Sequence, residues 1–246
     1  MQKRAQRAVL LLDVGQSSLA ILAARISRIG FRTVRVKTPE EAIPVLADPR
    51  FSVHALVVPP DLPVADLKAT VSALRLASPR EALAILVSLP RRTPKHERER
   101  LVRAGIDLPL YDPIDAHTLR FQLNRGIAGE IPTRRERAGR RAPSSHEVTL
   151  RIRRRRRPAR LYTFSPRGAF LVCEAPALRK TRLELEFGIP GLPRRIASEV
   201  VMTNVAGNLS RADLPRGMAI RFGRIESDHE TALELLVDKV LRRLEL

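Results

Sequence analysis

The stretch Thr133–Gly168, TRRERAGRRAPSSHEVTLRIRRRRRPARLYTFSPRG, carries 13 arginines in 36 residues and separates two halves of different hydrophobic period. Before it, short apolar runs alternate with segments whose apolar residues recur every three to four positions. After it, apolar and polar residues alternate one by one. The first pattern belongs to strands buried on both faces and to amphipathic helices; the second belongs to half-buried antiparallel strands. Gly129–Ser145 has neither period and is rich in Arg, Pro, Gly and Ser, which reads as a linker. The domains expected are therefore 1–127, a linker over 128–145, and 146–246.

Working toward the N-terminus, AVLLLD (Ala8–Asp13), FRTVRVK, HALVV, LAILVS (Leu83–Ser88) and LPLY read as five strands. Between and after them lie helical segments: Ser17–Ile29, TPEEAIPVLA, Asp66–Ala77, PKHERERLVRAG and Asp115–Gly126. Leu19, Leu22, Ile26 and Ile29 share one face of the first. Thr38 is the expected N-cap of the second, with Pro39 at its first position. Gly105 is the expected stop of the fourth. Five successive βα units predict a doubly wound five-stranded parallel sheet with helices on both faces and its functional edge at the carboxyl ends of the strands.

Working toward the C-terminus, VTLRIR, TRLELEF, RRIASEVVMTN and GMAIRFG alternate as strands. In TRLELEF, Leu183, Leu185 and Phe187 take one face, and Arg182, Glu184 and Glu186 the other. Arg153–Arg157 are five consecutive arginines, which cannot alternate inward, so they are expected to form a hairpin turn and a solvated face. ETALELLVDKVLRRLEL places Leu233, Leu236, Val237, Val240, Leu241 and Leu244 on one helical face. A small antiparallel β-barrel or sandwich with a terminal helix packed on it is the expectation.

Composition bounds the function. The net charge is +19 in 246 residues, which favours anionic partners; arginine outnumbers lysine throughout, as a GC-rich genome would also produce. Aromatic residues are 4% and Trp is absent, so the cores are aliphatic and base stacking by single strands is disfavoured. Cys173 is the single cysteine, which excludes a disulfide framework within the chain and suits a reducing, cytoplasmic compartment. Neither a signal-peptide core nor an uninterrupted apolar span appears. The five histidines are scattered, no metal-binding set is expected, and no Ser/His/Asp or paired-carboxylate arrangement suggests an enzyme.

The βα order and turns over Arg7–Ile127 resemble the receiver domain of bacterial response regulators. That family binds magnesium through an acidic pair after its first strand and takes phosphate on an aspartate after its third. A Ser/Thr and a Lys-Pro complete its site. Mapped by resemblance, Asp13 stands at the first acidic position, with Val14 at the second. Pro59 stands at the phosphoacceptor position in VVPPDLP, and Ser88 at the hydroxyl position. Asp112 replaces the lysine, before a matching Pro113. A proline cannot accept a phosphoryl group, and one carboxylate is a poor magnesium site. Asp61, two residues past the acceptor position, is a weak substitute. Asp13, Asp61 and Asp112 therefore read as solvated loop carboxylates of a pseudo-receiver, a domain left to bind partners or itself through helix 4, strand 5 and helix 5.

In the second half, Arg137-x-x-x-Arg141 precedes the barrel and Thr163-x-Ser165-x-x-Gly168 lies within it. Together with RRIASEVV, GMAIRF and the last helix, these resemble the PilZ domain over roughly 134–246. The resemblance implies binding of cyclic di-GMP by the arginine pair and a D/N-x-S-x-x-G turn, with outputs such as motility. Arg140 and Arg167 are further candidates for contact. Thr163 departs from the pattern, since it offers one hydroxyl where the family has an acceptor for a guanine edge. The reading is a noncatalytic cyclic di-GMP effector without cofactor. Two alternatives stand beside it: an adaptor that binds no nucleotide, and a nonspecific nucleic-acid binder, which the missing helix-turn-helix disfavours.

Overall fold

A computed structural model describes residues 7–15, 17–79, 83–129, 140–189, 192–205 and 214–246. The chain divides into two compact units, Met1–Glu136 with Leu244–Leu246, and Arg137–Arg243.

The first unit is a doubly wound α/β domain. Strands β1 (Ala8–Leu12), β2 (Arg32–Val36), β3 (Val53–Val58), β4 (Ala84–Pro90) and β5 (Leu108–Asp112) pair in parallel in the order β2-β1-β3-β4-β5. They alternate with α1 (Ser17–Arg28), α2 (Pro39–Ala47), α3 (Leu67–Ala77), α4 (Lys95–Arg103) and α5 (Ala116–Ile127). This is the flavodoxin-like order shared by receiver domains, whose switch point falls between β1 and β3. Every residue of β1 is buried, because helices cover both faces of a parallel sheet. Val9, Leu11, Ile26, Leu119 and Leu123 form the core on one face; Leu10, Leu12, Leu46, Leu74 and Leu101 form it on the other.

The helix starts follow local chemistry. The Thr38 hydroxyl accepts from the Glu41 amide, and the Asp66 carboxylate from the Ala69 amide. Asp115 accepts from the amides of His117 and Thr118. Helix α4 ends with Gly105 at φ +91°, one residue past the Ala104 cap. The amides of Gly105 and Ile106 return to Val102 and Leu101, a Schellman closure that glycine takes without a Cβ penalty.

Leu244–Leu246 belong to this unit, which corrects the expectation that Leu244 extends the face of the last helix. Gln122 is fully buried in α5 and donates through Nε2 to Pro109 O and Leu244 O, both at 2.9 Å. Arg125 is 7% exposed and pairs with Glu245 at 2.9 Å, while the Tyr111 hydroxyl donates to Glu245 O at 3.0 Å. Buried polar groups of this kind need partners, and the segment supplies them.

The second unit is a closed six-stranded antiparallel barrel with a terminal helix. Strands β7 (Glu147–Ile152), β8 (Arg155–Ser165), β9 (Gly168–Val172), β10 (Arg182–Glu186), β11 (Ile196–Asn204) and β12 (Gly217–Phe222) run in the order β8-β7-β10-β11-β12-β9, and β9 pairs back onto β8. Closure removes the sheet edges. Leu150, Leu161, Leu171, Leu183, Leu185, Phe187, Val200 and Ile220 are buried. Helix α6 (Ser227–Arg242) packs on β8 and on the short β6 (Ala142–Pro143), with Leu233, Val237 and Leu241 buried. Truncating such a leucine to alanine costs about 2–5 kcal/mol.

Two local expectations are corrected here. The end of the linker is ordered: β6 (Ala142–Pro143) pairs with β8, Ala142 opposite Phe164 and Pro143 opposite Thr163. The arginine run is not all turn. Only Arg153 and Arg154 turn; Arg155, Arg156 and Arg157 are strand, opposite Ile152, Arg151 and Leu150. Strand pairing of the backbone tolerates the charges because most of these side chains stay exposed, and Arg156 pairs with Glu186 at 2.5 Å.

Candidate functional site

In the first unit helix α1 and the carboxyl ends of β3, β4 and β5 surround a cleft of about 480 Å³, lined among others by Pro59, Asp61, Ser88, Asp112 and Arg25. Pro59 follows β3 directly and is buried. Ser88 sits in β4 beside Leu110 of β5. Asp112 ends β5 with its side chain 71% exposed, 3.9 Å from the Arg25 guanidinium. Arg25 also donates to the Ile114 carbonyl. A cation is thus present at this corner of the cleft, but it comes from α1 and is shared with Asp112. Asp61 is an exposed loop carboxylate.

Asp13 is not solvated, which corrects the sequence reading. Its side chain is 7% exposed and lies 2.5 Å from Arg35 Nη2 of β2, and it accepts from the Gly15 amide at 3.3 Å. Parallel pairing sets Leu11 beside Arg35, one strand over, so the guanidinium reaches the end of β1. The sequence carried a signal for this pair in the arginine near the end of FRTVRVK, but a two-period strand leaves open which neighbour that arginine meets. Among the described residues no group of three or more His, Cys, Asp or Glu is placed to hold a metal ion.

In the second unit, strand register assembles the residues of the Thr163–Gly168 motif and the lead-in arginine. Ser165 and Gly168 face each other at the end of the β8–β9 hairpin. The Ser165 hydroxyl donates to Gly168 O at 3.2 Å. A Cβ on Gly168 would stand 2.3 Å from Ile220 O, so glycine is required by the close approach of β12. Thr163 is only 6% exposed, paired with Phe170 on one side and Pro143 on the other. Arg141 is exposed and immediately precedes Ala142, whose partner is Phe164; it therefore lies beside Ser165. Arg140 pairs with Asp238 of α6 at 2.8 Å. Arg167 is exposed in the hairpin turn, and its carbonyl accepts from the Phe222 amide at 3.0 Å. Arg137 lies outside the described residues. The structure thus brings Arg141, Arg167, Ser165 and Gly168 to one hairpin, gives Ser165 and Gly168 fold-holding roles there, and leaves Thr163 little surface.

No helix among the described residues is long and apolar enough to cross a membrane. No family model matches the chain, and no curated protein matches it. Solved structures similar to about half of the chain include receiver domains. The receiver domain of a Pseudomonas aeruginosa sensor histidine kinase is 22% identical and superposes with a TM-score of 0.42, covering 50% of this chain and 99% of that one. The Vibrio cholerae chemotaxis protein CheY4 is 20% identical at a TM-score of 0.42, covering 49% and 98%. The receiver domain of Saccharomyces cerevisiae Ssk1, solved with the phosphotransfer protein Ypd1, gives 14%, 0.40, 51% and 91%.

Proposed function

We propose that this chain is a noncatalytic effector of bacterial second-messenger signalling, in which a PilZ-like barrel binds cyclic di-GMP and a pseudo-receiver contacts a protein partner. The observation that carries the reading is the β6–β8 register, which sets Arg141 beside the Ser165–Gly168 hairpin. Arginine suits the ligand: it bonds a phosphate or the guanine O6/N7 edge bidentately, and its plane stacks on the base. Arg140, tied to Asp238, gives the lead-in segment a link to α6 that binding would strengthen or exchange. The first unit takes no part in chemistry in this reading, because Pro59 cannot carry a phosphoryl group.

Thr163 lacks a bidentate acceptor, a deficit of about 1–3 kcal/mol. That moves a roughly 1 µM site to roughly 5–150 µM. Calorimetric titration of cyclic di-GMP into the full chain tests the reading. Saturable heat that Arg141→Ala abolishes supports it. The absence of heat up to about 200 µM ligand selects a second reading, a nucleotide-free adaptor. One observation favours that alternative: Ser165 and Gly168 already hold the hairpin together, so their pattern has a reason in the fold.

A further inference from the structure

The outer face of the barrel carries a second feature, which begins at Arg221, the cross-strand partner of Gly168, and runs away from the hairpin over β11, β10 and β7. Across β7, β10, β11 and β12 two neighbouring rows of side chains run side by side. In one, Arg182 stands opposite Glu199, and Glu199 opposite Arg221. In the other, Arg151 stands opposite Glu184, and Glu184 opposite Ala197. Gly223 donates its amide to Ala197 O at 2.7 Å, so this second row ends in a methyl group and a bare Cα. The loss of side chains there hollows the face into a groove of about 630 Å³, within the range of small-molecule sites.

The rim of the groove is Arg151, Arg153, Arg182 and Arg221. Its two carboxylates do not saturate them. Arg151–Glu184 and Arg221–Glu199 stand at 3.8 and 3.7 Å, beyond hydrogen-bond length, and Arg153 and Arg182 have no acidic partner among the described residues. Each guanidinium carries five donors in a planar fork, so the rim holds many unspent N–H groups aimed at one hollow. Arg153 is also held at φ +56° in the turn, a conformation an ordinary side chain adopts at a cost. A two-residue hairpin turn requires such a φ, and it fixes where Arg153 leaves the strand.

We infer that the groove rimmed by Arg151, Arg153, Arg182 and Arg221 is a binding site for a compact phosphate ester of mononucleotide size. Arg153 and Arg182 grip the phosphate, and the Glu199–Arg221 pair takes polar edges of the remainder. The charge pattern selects against a long polyanion. Glu184 and Glu199 interrupt the arginines, so a continuous nucleic-acid backbone would meet carboxylates at the spacing where it needs cations, whereas one phosphate group does not. The groove adjoins the Ser165–Gly168 hairpin through Arg221 but shares no residue with the Arg141–Ser165 patch, and its inference does not depend on the cyclic di-GMP reading.

The test uses the full chain and inorganic pyrophosphate as the probe, followed by calorimetry at constant ionic strength. A single saturable isotherm is expected. Arg182→Ala, an exposed position, is expected to keep the melting temperature of the unaltered protein and to weaken the isotherm about tenfold or more, as loss of a charge-assisted hydrogen-bond pair does. Arg141→Ala is expected to leave it unchanged. The inference is overturned by the absence of saturable heat, by equal binding in Arg182→Ala, or by a short DNA duplex that displaces pyrophosphate with affinity falling steeply in salt, which would make the groove a nucleic-acid surface.

Discussion

Arg35 of β2 reaches across the sheet edge to Asp13 at 2.5 Å, so the carboxylate at the end of β1 is neutralised from within the fold. By the resemblance drawn from the sequence, Asp13 stands at a position expected to face the cleft at the strand ends. Here the cleft instead holds Pro59, Ser88 and an Arg25–Asp112 pair. In the proposed pseudo-receiver reading, Pro59 leaves the acceptor position without a carboxylate and Arg35 shares the one at Asp13.

Incubation with acetyl phosphate and magnesium, followed by intact mass measurement, is therefore expected to show no adduct. A stable gain of about 80 mass units, one phosphoryl group, would contradict this account of the first unit.

The Gly168 backbone passes so close to β12 that a Cβ would stand 2.3 Å from Ile220 O. Gly168→Ala is expected to destabilise the second unit by about 2–3 kcal/mol through forced displacement of a barrel strand. Chemical denaturation measures this. A loss below about 0.5 kcal/mol, the scale of an ordinary surface substitution, would show that the strands part without strain.

Arg125 and Glu245 form an ion pair in which the arginine is nearly buried. Arg125→Ala removes the partner of the Glu245 carboxylate and is expected to cost about 3 kcal/mol. Denaturation followed by a probe in the first unit reads the effect. An unchanged midpoint would indicate that the Leu244–Leu246 segment contributes nothing to that unit.

The Cys173 thiol is pushed above its ordinary value by burial, with Arg216 and Arg157 partly opposing. A raised value means less thiolate at a given pH than a free thiol has. The rate of alkylation by iodoacetamide is expected to rise with a midpoint above the roughly 8.5 of free cysteine. A midpoint below that of glutathione run alongside would show that the two arginines outweigh burial.

Much of the architecture was legible because each unit has its own period. The continuous apolar run of β1 and the strict alternation of Leu183, Leu185 and Phe187 identify a two-sided and a one-sided strand, and both appear as read. Thr38, Asp66 and Asp115 announce helix starts by chemistry that acts within one turn. What escaped depends on partners distant in sequence. Ala142–Pro143 is too short to show a period, and only β8 makes it a strand. The arginine run divides between turn and strand because β7 sets the register of β8. Asp13 is buried only because Arg35 lies on the neighbouring strand, and the arginine groove exists only where four strands align their outward residues. The hairpin residues Ser165 and Gly168 could be named from sequence, but their roles as hydrogen-bond donor and close-packing glycine required the position of β12.

In the proposed reading cyclic di-GMP binds where Arg141 meets the Ser165–Gly168 hairpin. Amide chemical-shift mapping of the isotopically labelled chain, with cyclic di-GMP added in steps, tests the location directly. The account predicts saturable shifts centred on Arg141, Ser165, Arg167 and Gly168, with the amides of β1–β5 unmoved. Saturation with no shift at those four residues, or no shift anywhere, would contradict it.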